Sequence, residues 1–460
     1  MGLSALALLV VALAATSFWL GRRRALATVG GRASALRSLP GYYGWYAALW
    51  CGLPGLAVVL VWLLFFGGAV DRMTLASFPE EAARRGPAEL SMLLNDARNA
   101  ALGQNSLRAD DPVVAALSKR WTSLRAAGLR LALGASLALS LAAGALALRA
   151  IRPGFAARAK VERSVGIGLM LCSTLAVLVT VGIVFSLIFE TGRFFERVPI
   201  QEFLFGLHWS PQTALRADQV GSSGSFGAVP IFAGTLLVTL IAMLVSVPIG
   251  LFAAVYMSFY ADPRLRAVVK PALEILAGVP TVVYGFFAAL VVAPVLRGAG
   301  VSLGLDVASE SALAAGLVMG VMIIPFVSSL SDDAITAVPQ SLREGSFGLG
   351  ATRSETIRLV ILPAALPGIA GACLLAVSRA VGETMIVVMA AGLAANLTAN
   401  PLQAVTTVTV QIVTLLTGDQ EFDSAKTLSA FALGLVLFCV TLALNVIALR
   451  MVQRYREKYD

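Results

Sequence analysis

The sequence predicts an all-α integral membrane protein of about nine transmembrane helices, and three observations lead there. Hydrophobic residues make up 58% and charged residues 13% of its 460 residues, with a mean hydropathy of +0.84. A soluble domain holds about 45–50% apolar and about 25% charged residues, so the balance excludes a cytosolic globular enzyme and a disordered chain. Runs of about 20 apolar residues, the length needed to cross the hydrocarbon layer as a helix, recur along the whole chain. Lys and Arg gather in alternate connections between those runs.

Taken in order, the spans fall near 3–20, 43–67, 128–148, 165–189, 229–259, 272–296, 311–331, 366–392 and 427–449. The first is followed by Arg22, Arg23 and Arg24 and lacks both a preceding basic region and a small-residue cleavage site. It therefore reads as an anchor with its N-terminus outside rather than a removable signal peptide. The 229–259 run exceeds one upright span and is expected to tilt, kink near Pro248 or include an interfacial turn.

Alternation from that anchor places 21–42, 149–164, 260–271, 332–365 and 450–460 on the cytoplasmic side, where 20 Lys+Arg stand against 8 Asp+Glu. The outside segments hold 14 against 16. This positive-inside bias predicts an odd number of spans and a cytoplasmic C-terminus. The charge of +9 then follows membrane topology rather than a nucleic-acid-binding stripe.

The pattern divides near residue 160. Residues 1–160 form an N-terminal membrane extension of three spans enclosing an outside segment, 69–127, in which Glu89 to Leu102 is weakly helical. Arg149 to Arg163 is a basic cytoplasmic linker, and 161–460 forms the core. Gly221 to Gly227 (GSSGSFG) reads as a flexible outer loop.

The cytoplasmic stretch 339–363, PQSLREGSFGLGATRSETIRLVILP, is the most informative. Pro339 suits a first helical turn, Gly348 and Gly350 break the helix, and Thr352 with Glu355 makes a capping box that starts a second helix running to Pro363. Two readings are open: an ordinary long loop, or a pair of short helices with a glycine elbow inserted into a groove on a cytoplasmic partner.

Glu344, Gly350, Leu362 and Pro363 stand at the spacing of the coupling motif of ABC importer permeases. Glu344-Gly345-Ser346 occupies the family's Glu-Ala-Ala start, and Val360 the Ile place of its Ile-x-Leu-Pro close. Leu273 to Phe286 (LEILAGVPTVVYGF), Leu349 to Arg353 (LGATR) and Arg379 to Met385 (RAVGETM) narrow the resemblance to the phosphate-specific ABC importer permease of the PstC type, over roughly 165–455. The resemblance implies a six-helix type I ABC importer permease core behind a three-helix extension. It also implies a PstA-type permease partner, a PstB-type ATPase dimer and an external phosphate-binding protein, in a bacterial cytoplasmic (inner) membrane.

Apart from that resemblance, Arg379 is expected near the middle of span eight, where a charged side chain costs roughly 2.5–3.5 kcal/mol on insertion scales. Glu383 follows one turn on, on the same face. Either the two neutralise each other and hold the bundle together, or Arg379 offers a positive fork of donors to phosphate oxygens while Glu383 acts as counter-charge. Tyr284 and Thr384 offer hydroxyls to a pathway or bond across helices.

Glu274 is expected at the N-terminal, inner end of span six, favoured by the helix dipole. Asp332 and Asp333 read as solvated loop carboxylates, and His208, among Phe194, Phe195, Phe203, Phe205 and Trp209, as surface packing. Four cysteines and one histidine give no expected metal site, and no cofactor or catalytic residue is expected. None of the five lysines (119, 160, 270, 426, 458) sits in a phosphate-cradling glycine loop, so any ATP hydrolysis belongs to a partner chain. The reading is the permease subunit of an ATP-driven phosphate importer, half of the translocation pathway. The alternatives are a sulfate or molybdate permease, a phosphate-sensing membrane scaffold, and an ion-coupled secondary transporter.

Overall fold

The computed structural model describes residues 3–78, 86–104, 111–213, 223–417 and 423–455, and the C-terminal residue Asp460 with Gly221 and Ser222 lies outside them. The chain divides into two compact units, Met1–Val177 and Leu178–Asp460. Among the described residues nine helices are long and apolar enough to cross a membrane.

The first unit contains α1 (Leu3–Ala27), α2 (Pro40–Ala76), α3 (Pro87–Ala101) and α4 (Pro112–Ala150), and the division falls within α5 (Ala157–Phe195). Small residues set how closely α1, α2 and α4 approach, as expected where lipid gives no hydrophobic drive to helix association. A side chain at Gly21 would meet Tyr43 O and Ala47 Cβ at 2.8 Å, and one at Gly55 would collide with Ser140 Oγ. Ser136 Oγ donates to Gly55 O at 3.0 Å across the same contact. The predicted helix near Glu89–Leu102 is present as α3, whose Leu93 and Ala97 pack on Val114 and Leu117 of α4.

The second unit continues with α6 (Ile200–Phe205), β1 (Trp209–Thr213), β2 (Ser223–Phe226) and α7 (Val229–Phe259). The strands pair antiparallel, so Ser223–Phe226, expected in a flexible loop, is a strand instead. It is held by Trp209 and Phe226 packing into a buried cluster with Phe194 and Phe203. Helix α7 runs unbroken through Pro248.

Then follow α8 (Pro263–Ala277), α9 (Thr281–Ser302), α10 (Ala312–Thr336), α11 (Gln340–Gly348), α12 (Arg353–Val381), α13 (Met385–Ala390), α14 (Val408–Leu416) and α15 (Ala425–Tyr455). Helices α7 and α10 form the centre of this unit. Gly316 and Gly320 of α10 lie where a Cβ would come within 2.7 Å of Ile241 and 2.9 Å of Val245 on α7. Around them Val238, Ala242, Met319, Ile323 and Ile386 are buried together.

Several expected spans begin or end elsewhere; the helix of span three starts at Pro112 rather than 128, and that of span eight at Arg353 rather than 366. Span six starts at Thr281, not 272, because Gly278-Val279-Pro280 separates it from amphipathic α8. Span eight ends at Val381, not 392, and the chain breaks at Gly382-Glu383-Thr384 before α13.

Helices α9 and α12 share a local device. Each widens into a π-turn, over Ala288–Val292 and Ile357–Ile361, closed by Ala293 N–H to Ala288 O and by Leu362 N–H to Ile357 O. In both the donor immediately precedes a proline, Pro294 or Pro363. A proline ring would strike the carbonyl four residues back in a regular α-helix, and the wider turn moves that carbonyl aside.

Candidate coupling and translocation site

The predicted capping box is formed: Thr352 Oγ1 accepts from Glu355 N at 3.4 Å, while Glu355 Oε2 accepts from Thr352 N at 2.8 Å. Gly350 has φ +87°, a left-handed conformation that suits glycine, so the elbow between α11 and α12 lies there. The helix that the capping box starts does not stop at Pro363; it continues to Val381, since the π-turn absorbs the proline. Pro339 caps α11 from just outside rather than occupying its first turn.

Glu344, Gly345 and Ser346 therefore lie together on α11, with Gly350 two residues beyond its end. Gln340 Nε2 donates to Glu344 Oε1 at 2.7 Å, and the Ser346 and Thr356 hydroxyls are 2.9 Å apart. Leu362 and Pro363 directly follow the π-turn of α12. Leu362 nevertheless meets Leu342 of α11 through a shared buried cluster of Ala254, Ile335, Ile361 and Ala365.

Arg343, not singled out from sequence, fixes α11. Its Nη2 donates to Ile335 O at 2.6 Å near the end of α10, and its guanidinium lies 4.9 Å from the centre of the Phe259 ring at the end of α7. Burial lowers its pKa from the ordinary arginine value. The same element also presents exposed apolar side chains, Phe347 on α11 and Leu349 just past its end, the latter 92% exposed.

Asp332 overturns its expected role. It is 1% exposed and sits where three helices meet. Its carboxylate accepts from Ser258 Oγ of α7 at 2.6 Å, from Arg266 Nη2 of α8 at 3.0 and 3.1 Å, and from Lys270 Nζ of α8 at 2.8 Å. The Lys270 ammonium is held above its ordinary pKa by the hydrogen bond to Asp332. Asp333, by contrast, is exposed. A cavity of about 220 Å³ lies alongside, lined by Lys270, Glu274, Phe326, Ser328, Ser329 and Asp332. Glu274 belongs to the last turn of α8, a helix C-terminus, which removes the expected dipole role. Tyr284 OH donates to Leu276 O at 2.9 Å, tying α9 to α8 as a bond across helices.

Arg379 lies in the last turn of α12, exposed, its guanidinium 5.7 Å from the centre of the Phe326 ring. Among the described residues it forms no ion pair, so the expected pair with Glu383 is not made. The reason is the break after Val381, which takes Glu383 off the helical face. Glu383 Oε1 instead accepts from Met385 N at 3.1 Å, and Glu383 O accepts from Thr409 Oγ1 at 2.7 Å. Thr384 Oγ1 approaches Gly382 O at 3.5 Å. His208 is exposed, contributing its backbone carbonyl to Gly227 N at 2.9 Å.

Residues 7–179 match a family described as a phosphate ATP-binding cassette transporter, and residues 246–457 match the binding-protein-dependent transport system inner membrane component. A probable ABC transporter permease protein, YqgH of Bacillus subtilis, is 35% identical over 240 residues, 52% of this chain and 74% of that one. The phosphate transport system permease protein PstC of Mesorhizobium japonicum is 31% identical over 267 residues, covering 55% of this chain and 78% of the relative. The chain belongs to the PstC-type ABC transporter permease family. PstC 1 of Mycobacterium tuberculosis, another member, is 34% identical over 249 residues, 50% of this chain and 73% of its own length. The binding-protein-dependent transport match, 246–457, runs from within α7 to the end of α15 and so contains α11, the Asp332 cluster and Arg379.

Proposed function

We propose that the chain is the phosphate-conducting permease subunit of an ATP-driven importer in the bacterial cytoplasmic membrane. It forms half of the pathway beside a PstA-type permease, with a PstB-type ATPase dimer hydrolysing ATP and an external phosphate-binding protein delivering phosphate. The N-terminus lies outside and the C-terminus in the cytoplasm, with residues 1–160 an added membrane extension and 161–460 the permease core. The observation that carries this reading, beside family membership, is the geometry of α11. Arg343 and Leu342 tie it to the ends of α7 and α10, while the Glu344, Phe347 and Leu349 side chains stay exposed. A partner gripping those exposed side chains moves both central helices.

In this mechanism closure of the ATPase dimer pulls on Glu344-Gly345-Ser346 and on the Gly350 elbow. The pull reaches α10 through Arg343 and α12 through the continuous helix carrying Leu362 and Pro363. Arg379 supplies a fixed positive charge and a planar fork for phosphate oxygens, offsetting their desolvation. That Arg379 has no carboxylate partner among the described residues, and lies over the Phe326 ring, supports its availability to an anion. Glu383, two residues beyond the helix end with its carboxylate on Met385 N, acts as the nearby counter-charge, and Thr384 adds a hydroxyl.

The test is labelled phosphate uptake, normalised to membrane-inserted protein, in Arg379→Gln, Glu383→Gln and the double variant. Arg379→Gln is expected to insert normally and lose uptake, alone and in the double variant. Glu383→Gln is expected to insert and transport more slowly. Near-normal uptake by the double variant would leave Arg379 a structural group, and uptake of sulfate or molybdate in place of phosphate would change the assigned cargo.

A further inference from the structure

In the first unit the apolar stretch of α2 through Val70 gives way to Asp71 and Arg72, and on α4 the charges Lys119, Arg120, Arg125 and Arg130 give way to an uncharged run beginning at Leu131. Where these two boundaries meet, the structure contains a cavity of about 410 Å³. One wall is apolar: Trp62, Leu63 and Phe66 of α2 and Leu129 of α4. The Trp62 and Phe66 rings stack with centres 3.4 Å apart, and the Phe66 ring occupies the space a side chain at Gly128 would need.

The other wall is cationic, with Arg98 and Arg125. Asp71 is committed to Arg98 at 2.5 Å and to Trp121 Nε1 at 3.0 Å. Arg125 lies 4.9 Å from the Trp121 ring centre and has no carboxylate partner among the described residues. Two arginines against one carboxylate leave a net positive charge at the mouth of an aromatic pocket.

We propose that this cavity binds an anionic membrane phospholipid, its phosphate between Arg98 and Arg125 and the start of an acyl chain along Trp62, Leu63, Phe66 and Leu129. Depth and chemistry agree on that class. Basic pockets between membrane helices take lipid headgroups, aromatic rings favour the level of the headgroups, and a guanidinium without a competitor offers two donors to phosphate oxygens. A free phosphate ion would use the arginines but leave the aromatic wall unfilled.

The test is native mass spectrometry of the intact chain, stripped of lipid in detergent and titrated with phosphatidylglycerol or phosphatidylcholine. Wild type is expected to hold one phosphatidylglycerol in preference to phosphatidylcholine. Arg125→Ala is expected to weaken that adduct about tenfold, the loss of one charge-assisted contact, while Arg125→Lys retains part of it. Leu129→Trp, which fills the cavity and leaves both charges, should abolish it. Millimolar inorganic phosphate should leave the lipid in place. Displacement of the lipid by inorganic phosphate would make this a soluble-anion site, and undiminished binding in both Arg125→Ala and Leu129→Trp, or equal binding of the two lipids, would overturn the proposal.

Discussion

Replacing Asp332 by Asn keeps the shape of a buried side chain and removes its charge. In the native structure that carboxylate gathers donors from Ser258, Arg266 and Lys270, and Arg266 and Lys270 lie one turn apart on α8. With the charge gone these two cations face each other without a common partner, an unfavourable spacing on a helix. Hydrogen bonds to a charged group contribute about 1.5–3 kcal/mol each. The two cations are about a third exposed and so partly screened, which discounts their share. A loss of about 2–4 kcal/mol in the docking of α8 follows. At about 1.4 kcal/mol per tenfold, the undocked population rises roughly 30-fold to 1,000-fold. Hydrogen exchange of the intact complex in lipid nanodiscs reads this directly: residues 263–277 should exchange faster by a factor in that range, while the centre of α7 changes little. The pH dependence has a definite sign. Because Lys270 is raised above its unfolded value of 10.5, its contribution to docking is fully present below that value and is lost as pH climbs through the folded one. Protection of 263–277, corrected for intrinsic exchange, should therefore be flat through neutrality and fall in strong alkali. Unchanged exchange in Asp332→Asn would refute the idea that this carboxylate clasps α8.

At the elbow, Gly350→Ala should destabilise the turn by about 1–2 kcal/mol, the left-handed penalty alone, since no atom lies within 4 Å of the added Cβ. Gly350→Pro, whose ring demands negative φ and which loses the N–H bond to Phe347 O at 2.9 Å, should insert yet abolish substrate-stimulated ATP hydrolysis; coupled hydrolysis at the wild-type rate would count against the coupling role. Glu344→Lys, reversing an exposed charge, should give the same phenotype through docking rather than folding. A reporter active only outside the cytoplasm should work when inserted within 69–127 and fail when fused at Asp460, and the reverse result would invert the assigned topology.

The spans and the elbow could be read from sequence because each rests on local chemistry: long apolar runs, a glycine, and a Thr-x-x-Glu box. The misplaced start of span six came from α8, whose apolar Leu273, Ile275 and Leu276 merge with the following span in any hydropathy average although Gly278 and Pro280 separate them. Arg379 and Glu383 stand four apart, which implies a pair only while the chain stays helical, and it stops at Val381. Asp332 was hidden for a different reason. Its partners are 62 to 74 residues earlier, and an Asp-Asp dipeptide at a helix end carries no sign that one of the two faces inward. Arg343 was likewise silent, since its value lies in reaching a carbonyl of the preceding helix.

The π-turn at Ile357–Ile361 sets a rotational phase. A regular helix advances about 100° and 1.5 Å per residue, so a wide turn amounts to one extra residue looped into the coil between the elbow and Arg379. Winding that extra residue into an ordinary helix would turn everything upstream about 100° around the axis and swing α11 away from its present bearing relative to Arg379, whereas deleting one residue would restore ordinary winding with the two parts in their present phase. The bulge thus works as a keyway between two parts of one helix, taking up one residue of extra length while holding the bearing of one part relative to the other.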